Sequence, residues 1–208
     1  MSIHHLIVTY GYLAVFLLVA IESFGVPLPG ETAVITAATY AGATHSLSVW
    51  VIFLLAALGA VLGDTGGYWI GNKGGYRLLR RWGHYVRFDE PKLKAARYLF
   101  ERHGGKVVFF GRFVSILRTY AAFLAGTARM HYGRFLTWNA SGGILWAAVY
   151  SFGAYFAGST LASASTPVAI GLGVAAVVLI VAALLLVRGK TAELMARAEA
   201  MYPGPLEP

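Results

Sequence analysis

Four charged side chains lie inside apolar stretches of this chain and are its best candidates for chemistry. Glu22 and Glu31 flank the segment 23–30, whereas Arg112 and Arg118 interrupt a run rich in phenylalanine, valine and leucine. A charged group at the centre of a bilayer costs roughly 3 kcal/mol or more unless it is paired or hydrated, so such residues often mark a site or a transport pathway. The sequence therefore predicts two clusters of opposite charge.

The acidic cluster is suited to carrying a proton or binding a cation. Pro27 and Pro29 cannot donate backbone hydrogen bonds and Gly30 permits positive φ, so a helix must stop here. The following residues read as a half-helix with Glu31 near its N-terminus; the alternative is an external loop with both glutamates in water. Asp64 is a second candidate proton carrier, and its alternative role is a helix cap or a buried hydrogen-bond partner.

The basic cluster is suited to binding phosphate. Guanidinium groups bind phosphate oxygens through two parallel hydrogen bonds, so Arg112 and Arg118 facing a wet cavity would form a phosphate receptor. Six residues apart on a continuous helix, they would point about 120° away from each other, so sharing one ligand requires a kink between them. The alternative is that both side chains extend to the cytoplasmic interface.

The composition is that of an integral membrane protein. Hydrophobic residues make up 58% of the chain and charged residues 12%, and the mean hydropathy is +0.64. Residues 167–187 are long enough to cross a hydrocarbon core of about 30 Å. The first apolar run, 6–21, lacks the basic flank and cleavage site of a signal peptide, so we expect it in the mature protein. The formal net charge of +8 is too localised to indicate nucleic-acid binding.

The basic residues predict the orientation. They are crowded into the segment 77–106 and follow residue 187 directly, so both places and both termini are expected in the cytoplasm. Two segments must then begin and end on the same side as re-entrant hairpins, whose broken backbone survives only in protein or beside water. The single membrane domain divides into helix 6–21, re-entrant hairpin 22–43, transmembrane segment 48–71, basic cytoplasmic segment 77–106, re-entrant hairpin 107–128, transmembrane segments 135–158 and 167–187, and cytoplasmic tail 188–208.

The two halves of the chain resemble each other weakly. Matching residue pairs recur at offsets between 84 and 87, and one match places Glu31 in register with Arg118. The predicted topology makes the two copies inverted, as in many secondary transporters. The predicted fold is therefore an all-α polytopic protein with an inverted repeat, two opposed broken-helix hairpins and a cytoplasmic amphipathic helix.

Three further patterns predict packing and interactions with the bilayer. Glycines at every fourth position from Gly59 to Gly75 predict close helix packing and leave room for a homodimer. Asn139 and Ser141 are predicted to form hydrogen bonds between helices. The segment 89–105 begins with acids and proline and ends in glycines, as expected of an amphipathic helix on the anionic inner leaflet; a solvated connector is the alternative.

No motif favours an enzyme. The chain has no glycine loop of phosphate-binding pattern, no histidine and glutamate at metal-ligand spacing, and no Ser/His/Asp set. It also has no cysteine, which excludes disulfides and thiolate metal sites. We therefore expect no catalytic residues, no metal and no cofactor.

The order of motifs resembles the DedA family, which shares the VTT domain with eukaryotic lipid scramblases. The resemblance rests on Glu22 with the run Pro-Leu-Pro-Gly-Glu31, on Asp64 with the following Gly-Tyr-Trp-Ile-Gly, and on Arg112 with Arg118, and it covers roughly residues 6 to 187. It implies a bacterial inner-membrane protein whose functional acids match Glu22 and Glu31 and whose functional arginines match Arg112 and Arg118. The family usually has Pro-Gly where this chain has Ser115-Ile116, so the second hairpin is less firmly encoded.

The resemblance implies movement of lipids across the membrane, notably undecaprenyl phosphate, with dependence on the proton gradient. We expect Arg112 and Arg118 to bind the phosphate head group while the polyprenyl or acyl tail stays in the bilayer. Protonation of Glu22 or Glu31 would couple the step to the gradient. The alternatives are a proton-coupled transporter of small ions or solutes, a phospholipid scramblase without energy input, and a structural or assembly factor of the membrane.

Overall fold

The computed structural model describes residues 3–82, 98, 100, 102–113, 115–163 and 200–201. Within these ranges the chain is helical and has no strand, so the predicted all-α fold is confirmed there. The helices are α1 (Ile3–Ser23), α2 (Gly30–Thr44), α3 (Val49–Trp82), α4 (Lys106–Gly111), α5 (Ser115–Thr127) and α6 (Tyr132–Ser163). The predicted span 167–187, most of the tail 188–208 and most of the segment 77–106 lie outside the described residues.

The first break in the helices occurs where prolines and glycine predict it. Helix α1 ends at Ser23, and the amides of Gly25 and Val26 donate to the carbonyls of Glu22 and Ile21 at 3.0 and 3.3 Å. Gly25 has φ of 112°, so this is a Schellman ending that favours glycine. A non-helical stretch through both prolines leads to α2, which places Glu31 in its first turn.

The second break separates α4 from α5. Helix α4 ends at Gly111, Arg112 and Phe113 form a turn, and α5 begins at Ser115. The interruption thus occurs without a proline and lies just before Ser115-Ile116. The kink between Arg112 and Arg118 that a common ligand requires is therefore present.

Helices α2 and α6 cross in direct backbone contact. A Cβ atom on Gly42 would collide with the carbonyl of Tyr155, and a Cβ atom on Gly158 would collide with the carbonyl of Thr39. Each helix therefore contributes a glycine at the point where the other helix presents its backbone. Any larger side chain at either position would force the two helices apart.

Helices α3 and α5 cross in the same way. A Cβ atom on Gly126 would collide with the carbonyl of Tyr68, and a Cβ atom on Gly71 would collide with the carbonyl of Phe123. Each of these residues follows or precedes its counterpart in the other crossing by 84 or 87 positions. The two crossings therefore use matching residues of the two halves of the chain.

The row of glycines on α3 packs helices closely, as predicted. Carbonyl oxygens of α1, those of Phe16 and Ala20, approach Gly59 and Gly63, and Gly71 faces α5. The described part of the row is thus occupied within the chain. What packs against Gly75 lies outside the part of the chain whose surroundings the structure describes.

The longest apolar segment of the described residues lies in α3. Within the described residues, Val49–Gly74 is the one helical segment long and apolar enough to cross a membrane by itself, and it overlaps the predicted span 48–71. The predicted span 135–158 falls within the 32-residue helix α6. Both helices pack against the hydrophobic core, to which they contribute Ile52 and Trp146.

Replacing Gly42 by alanine should destabilise the protein because the new methyl group meets the backbone of α6. We expect the free energy of unfolding to fall by about 1–3 kcal/mol, as for other overpacked cores. Gly153→Ala is the matched control, since a Cβ atom there meets nothing within 4 Å. Thermal unfolding in detergent measures the stability of both variants. A Gly42→Ala protein as stable as Gly153→Ala would contradict the close crossing of α2 with α6.

Candidate functional site

Arg118 lies between the two glutamates of the first hairpin. Its Nη2 donates to Oε1 of Glu22 at 2.5 Å, and its Nη1 donates to Oε2 of Glu31 at 3.1 Å. The Arg118 and Glu22 side chains are about 15% exposed, and that of Glu31 is 32% exposed. We call these three residues the Arg118 cluster. It joins both predicted hairpins through one guanidinium group.

Glu22 also caps the N-terminus of α2. Its carboxylate accepts a hydrogen bond from the backbone amide of Glu31 at 3.2 Å. The first amides of a helix have no partner within the helix and attract negative charge. Glycine is needed at position 30, because a Cβ atom would meet this carboxylate and the backbone of Leu18. Glu22 therefore connects α1, α2 and α5.

Arg112 forms a second, more deeply buried cluster. Its guanidinium pairs with Asp64 and donates to Oδ1 of Asn139 at 2.9 Å. The side chains of Arg112 and Asp64 are 2% and 7% exposed. Asn139 also donates to the carbonyl of Val61 at 3.3 Å, which links α6 to α3. We call Asp64, Arg112 and Asn139 the Arg112 cluster.

The structure places the two arginines in different ion pairs. Arg112 is buried in an ion pair with Asp64, whereas Arg118 is partly exposed between Glu22 and Glu31. In this conformation the two guanidiniums do not share a binding surface. Asp64, expected as a second candidate proton carrier or a buried partner, occupies the position of the buried partner.

The predictions for Asn139 and Ser141 have different outcomes. Asn139 forms hydrogen bonds between helices, as predicted. The prediction for Ser141 is wrong, since its hydroxyl donates to the carbonyl of Thr137 in the same helix at 2.8 Å. An exposed serine in a helix can satisfy its hydroxyl this way without any neighbouring helix.

Both clusters lie along one face of α6. Asn139, Gly143, Trp146 and Tyr150 follow the spacing that places residues on one helical face. A Cβ atom on Gly143 would lie 3.7 Å from the guanidinium carbon of Arg112. The twelve residues from Asn139 to Tyr150 span roughly 16 Å of helix. This face of α6 therefore connects the two charged clusters through an otherwise apolar bundle. We call the two clusters, together with the α6 residues that contact them, the polar line.

Trp146 and Tyr150 are site residues that the sequence analysis missed. The guanidinium carbon of Arg118 lies 6.0 Å from the ring centre of Trp146, and the hydroxyl of Tyr150 interacts with the Glu31 carboxylate. Their spacing from Asn139 on one helical face was the available signal. In a chain with 12 tyrosines and 5 tryptophans, that signal does not single them out.

Two buried polar atoms beside the clusters have no hydrogen-bond partner in the described part of the chain. They are Oδ1 of Asp64 and the indole nitrogen of Trp146. An unpaired buried polar atom costs about 1–3 kcal/mol. The site therefore contains one unpaired acceptor, on Asp64, and one unpaired donor, on Trp146, among the described residues.

The charges of the two clusters do not cancel when all groups are ionised. Glu22, Glu31 and Asp64 provide three carboxylates, whereas Arg112 and Arg118 provide two guanidiniums. The excess carboxylate can be neutralised by one proton or one monovalent cation. Within the described residues, no group of three or more His, Asp or Glu is arranged to hold a metal ion.

An apolar groove of about 520 Å³ runs between α1 and α2. Its lining includes Val15 and Leu18 of α1 together with Pro29 and Ala33 near the start of α2. Leu18 touches Gly30, which in turn touches the carboxylate of Glu22. One end of the groove therefore adjoins the Arg118 cluster.

Comparison with known proteins finds membrane proteins of one family. The profile described as VTT domain matches residues 28–156, a range that includes Glu31, Asp64 and both arginines. An uncharacterized membrane protein of Synechocystis is 45% identical over 149 residues, which cover 72% of this chain and 68% of that protein. No solved structure matches the chain.

Two other relatives extend the comparison. An uncharacterized membrane protein of Mycobacterium leprae is 38% identical over 199 residues, covering 91% of this chain and 92% of that protein. The protein DedA of Escherichia coli is 33% identical over 133 residues, covering 64% of this chain and 60% of DedA. With its polar line inside an apolar helical bundle and a domain match over more than half its length, the chain belongs to the VTT domain family of membrane proteins.

Proposed function

We propose that the protein moves a phosphate-headed lipid across the bacterial inner membrane, linked to the proton gradient, with undecaprenyl phosphate as the first substrate to test. The observation that carries this proposal is the Arg118 cluster, in which a partly exposed guanidinium is shared by two carboxylates inside an apolar bundle. A phosphate oxygen can replace either carboxylate as the partner of Arg118. The guanidinium geometry suits this exchange because it offers paired donors.

The proposal includes a multi-pass topology with cytoplasmic termini, an inverted repeat and two re-entrant hairpins. The matching glycine crossings of α2 with α6 and of α3 with α5 support the repeat. The ion pair between Glu31 and Arg118 supports it too, since these residues are in register in the two halves. The helix breaks at 24–29 and 112–113 supply the broken backbone that re-entrant hairpins need.

Proton linkage follows from the carboxylate in excess. When the site is empty, one proton on Glu22 or Glu31 would make the charges balance. When an anionic head group enters, a further proton is needed to keep the balance in an apolar environment. Lipid entry and proton uptake would therefore occur together.

The apolar groove offers a place for the hydrocarbon tail. A lipid whose head engages Arg118 can lay the first part of its tail between α1 and α2, where the lining is apolar. The charged head then crosses through the bundle while the tail remains in an apolar environment. The costly part of lipid transfer, desolvation of the head group, is the part assisted by the Arg118 cluster.

The two arginines have different roles in this proposal. Arg118 makes the first contact with the head group because it is the more accessible one. Arg112 holds α4, α3 and α6 together through Asp64 and Asn139, and it can reach a ligand only after the pair with Asp64 opens.

Replacing Arg118 by alanine should slow lipid movement at least about tenfold, because a charge-assisted contact of about 1.5–3 kcal/mol is lost. The measurement uses proteoliposomes with polyprenyl phosphate and a phosphatase that cannot cross the membrane. Arg118→Lys keeps the charge without the forked geometry and should be intermediate.

Three outcomes of this experiment would contradict the proposal. Wild-type and Arg118→Ala proteins that move the lipid at the same rate would remove the receptor. Flux of soluble ions without lipid movement would favour an ion transporter. Lipid movement that ignores an imposed pH gradient would favour a scramblase without energy input.

Replacing Glu22 by glutamine should distinguish the role of its ionisable carboxylate from its role as the cap of α2. The amide oxygen of glutamine can still accept from the amides of α2, so stability should stay near that of the wild type. If Glu22 carries the coupled proton, the stimulation of lipid movement by a pH gradient should be lost, since glutamine cannot bind a proton at this position. Glu22→Ala is the matched variant, and loss of the cap should lower the free energy of unfolding by about 1 kcal/mol. Retained stimulation in Glu22→Gln would show that this residue carries no coupled proton.

Replacing Asp64 by asparagine should destabilise the protein strongly. Arg112 would keep its charge in a buried position without a counter-charge, which typically costs about 3–5 kcal/mol. Combining Asp64→Leu with Arg112→Met should recover most of the stability, because no unpaired charge remains. Unfolding in mixed detergent measures the stability of both proteins against that of the wild type. An Asp64→Asn protein with wild-type stability would mean that the pair is not an anchor.

A further inference from the structure

Tyr150 contacts the Arg118 cluster from a helix that contributes none of its charges. Its hydroxyl interacts with the Glu31 carboxylate, whereas its ring packs on Trp146 with 5.1 Å between ring centres and an interplanar angle of 35°. The contact is therefore both polar and aromatic. It adds α6 to the helices that meet at Arg118.

The aromatic support beneath Tyr150 is fixed. Trp146 is 2% exposed and belongs to the hydrophobic core with Ile52 and Val34. The same indole ring lies below the guanidinium of Arg118. Because a buried tryptophan has little freedom to move, it holds both the Tyr150 ring and the Arg118 side chain in place.

Glu31 is the group in this cluster that most needs to be held. It is the most exposed of the three charged residues, and a flexible side chain connects its carboxylate to the first turn of α2. The Tyr150 hydroxyl and the Arg118 guanidinium both interact with this carboxylate. Without the hydroxyl, the carboxylate could swing toward the exposed side and leave Arg118 paired with Glu22 alone.

We propose that Tyr150 is a positioning residue of the transport site. Its ring packs on Trp146, and its hydroxyl holds the Glu31 carboxylate against Arg118. This inference rests on the proposed function. It assigns a role to a neutral residue outside both charged clusters. It also makes the exchange of partners at Arg118 depend on α6.

The test is a double-mutant cycle with Tyr150→Phe and Glu31→Ala in the polyprenyl phosphate assay. Tyr150→Phe keeps the ring on Trp146 and removes only the hydroxyl, so we expect lipid movement to slow about tenfold. In the Glu31→Ala protein the same change should have no further effect, because no acceptor remains at position 31. Rates that multiply, or a Tyr150→Phe protein as fast as the wild type, would overturn the proposal.

Tyr155→Phe is the matched control on the same helix. The Tyr155 hydroxyl lies 3.4 Å from Nδ1 of His45, outside the Arg118 cluster, so its removal should leave the rate unchanged. An equal loss in Tyr155→Phe and Tyr150→Phe would indicate a general effect on α6 and would also overturn the proposal.

A spectroscopic measurement separates this inference from the proposed function. Infrared difference spectra identify the carboxylate band of Glu31 by its loss in Glu31→Gln. That band should shift in Tyr150→Phe and not in Tyr155→Phe. A shift without lipid movement by the wild type would end the proposed function and keep the positioning role, whereas an unshifted band would end the positioning role.

Discussion

The constraint on which this structure depends is the cost of placing ionised groups inside an apolar helical bundle. Each of the five ionisable groups in the two clusters has a partner of opposite charge. Arg112 is sealed against Asp64, and Arg118 is shared by two glutamates. Every one of these pairs joins residues that are at least 48 positions apart in the chain, so the need to neutralise charge also determines how the helices are arranged. The bundle and its polar line therefore depend on each other.

Glycine makes this arrangement geometrically possible. Short contacts between carboxylates and guanidiniums require helix axes that lie close together, and glycines at both crossings let the backbones touch. The crossing of α2 with α6 brings Glu31 toward Tyr150, while that of α3 with α5 brings Arg118 into the centre of the bundle. Small residues at helix contacts are the usual means of close packing in membranes, where apolar burial alone provides little attraction between helices.

Local chemistry made the first break and the acidic cluster predictable from the sequence. Pro27, Pro29 and Gly30 stop a helix whatever surrounds them, and the register of the two halves paired Glu31 with Arg118. The partner of Arg112 could not be predicted, because Asp64 is 48 positions away and the pairing depends on how α3 is rotated. The second break has no proline to mark it, so its position depends on tertiary contacts of Arg112. The role of Tyr150 depends on the same kind of contact, since its hydroxyl meets Glu31 only after α2 and α6 have crossed.

The two prolines between α1 and α2 have a consequence for the dehydration of the peptide backbone. In the non-helical stretch from Val26 to Pro29, the amide of Val26 donates to Ile21, and the prolines have no amide hydrogen to solvate. Of these four peptide units, Leu28 alone brings a further amide hydrogen. A stretch with so few donors gives up less hydration than an ordinary loop, and the main cost of dehydrating it lies in its carbonyl groups, so this backbone can lie at membrane depth only against protein or water.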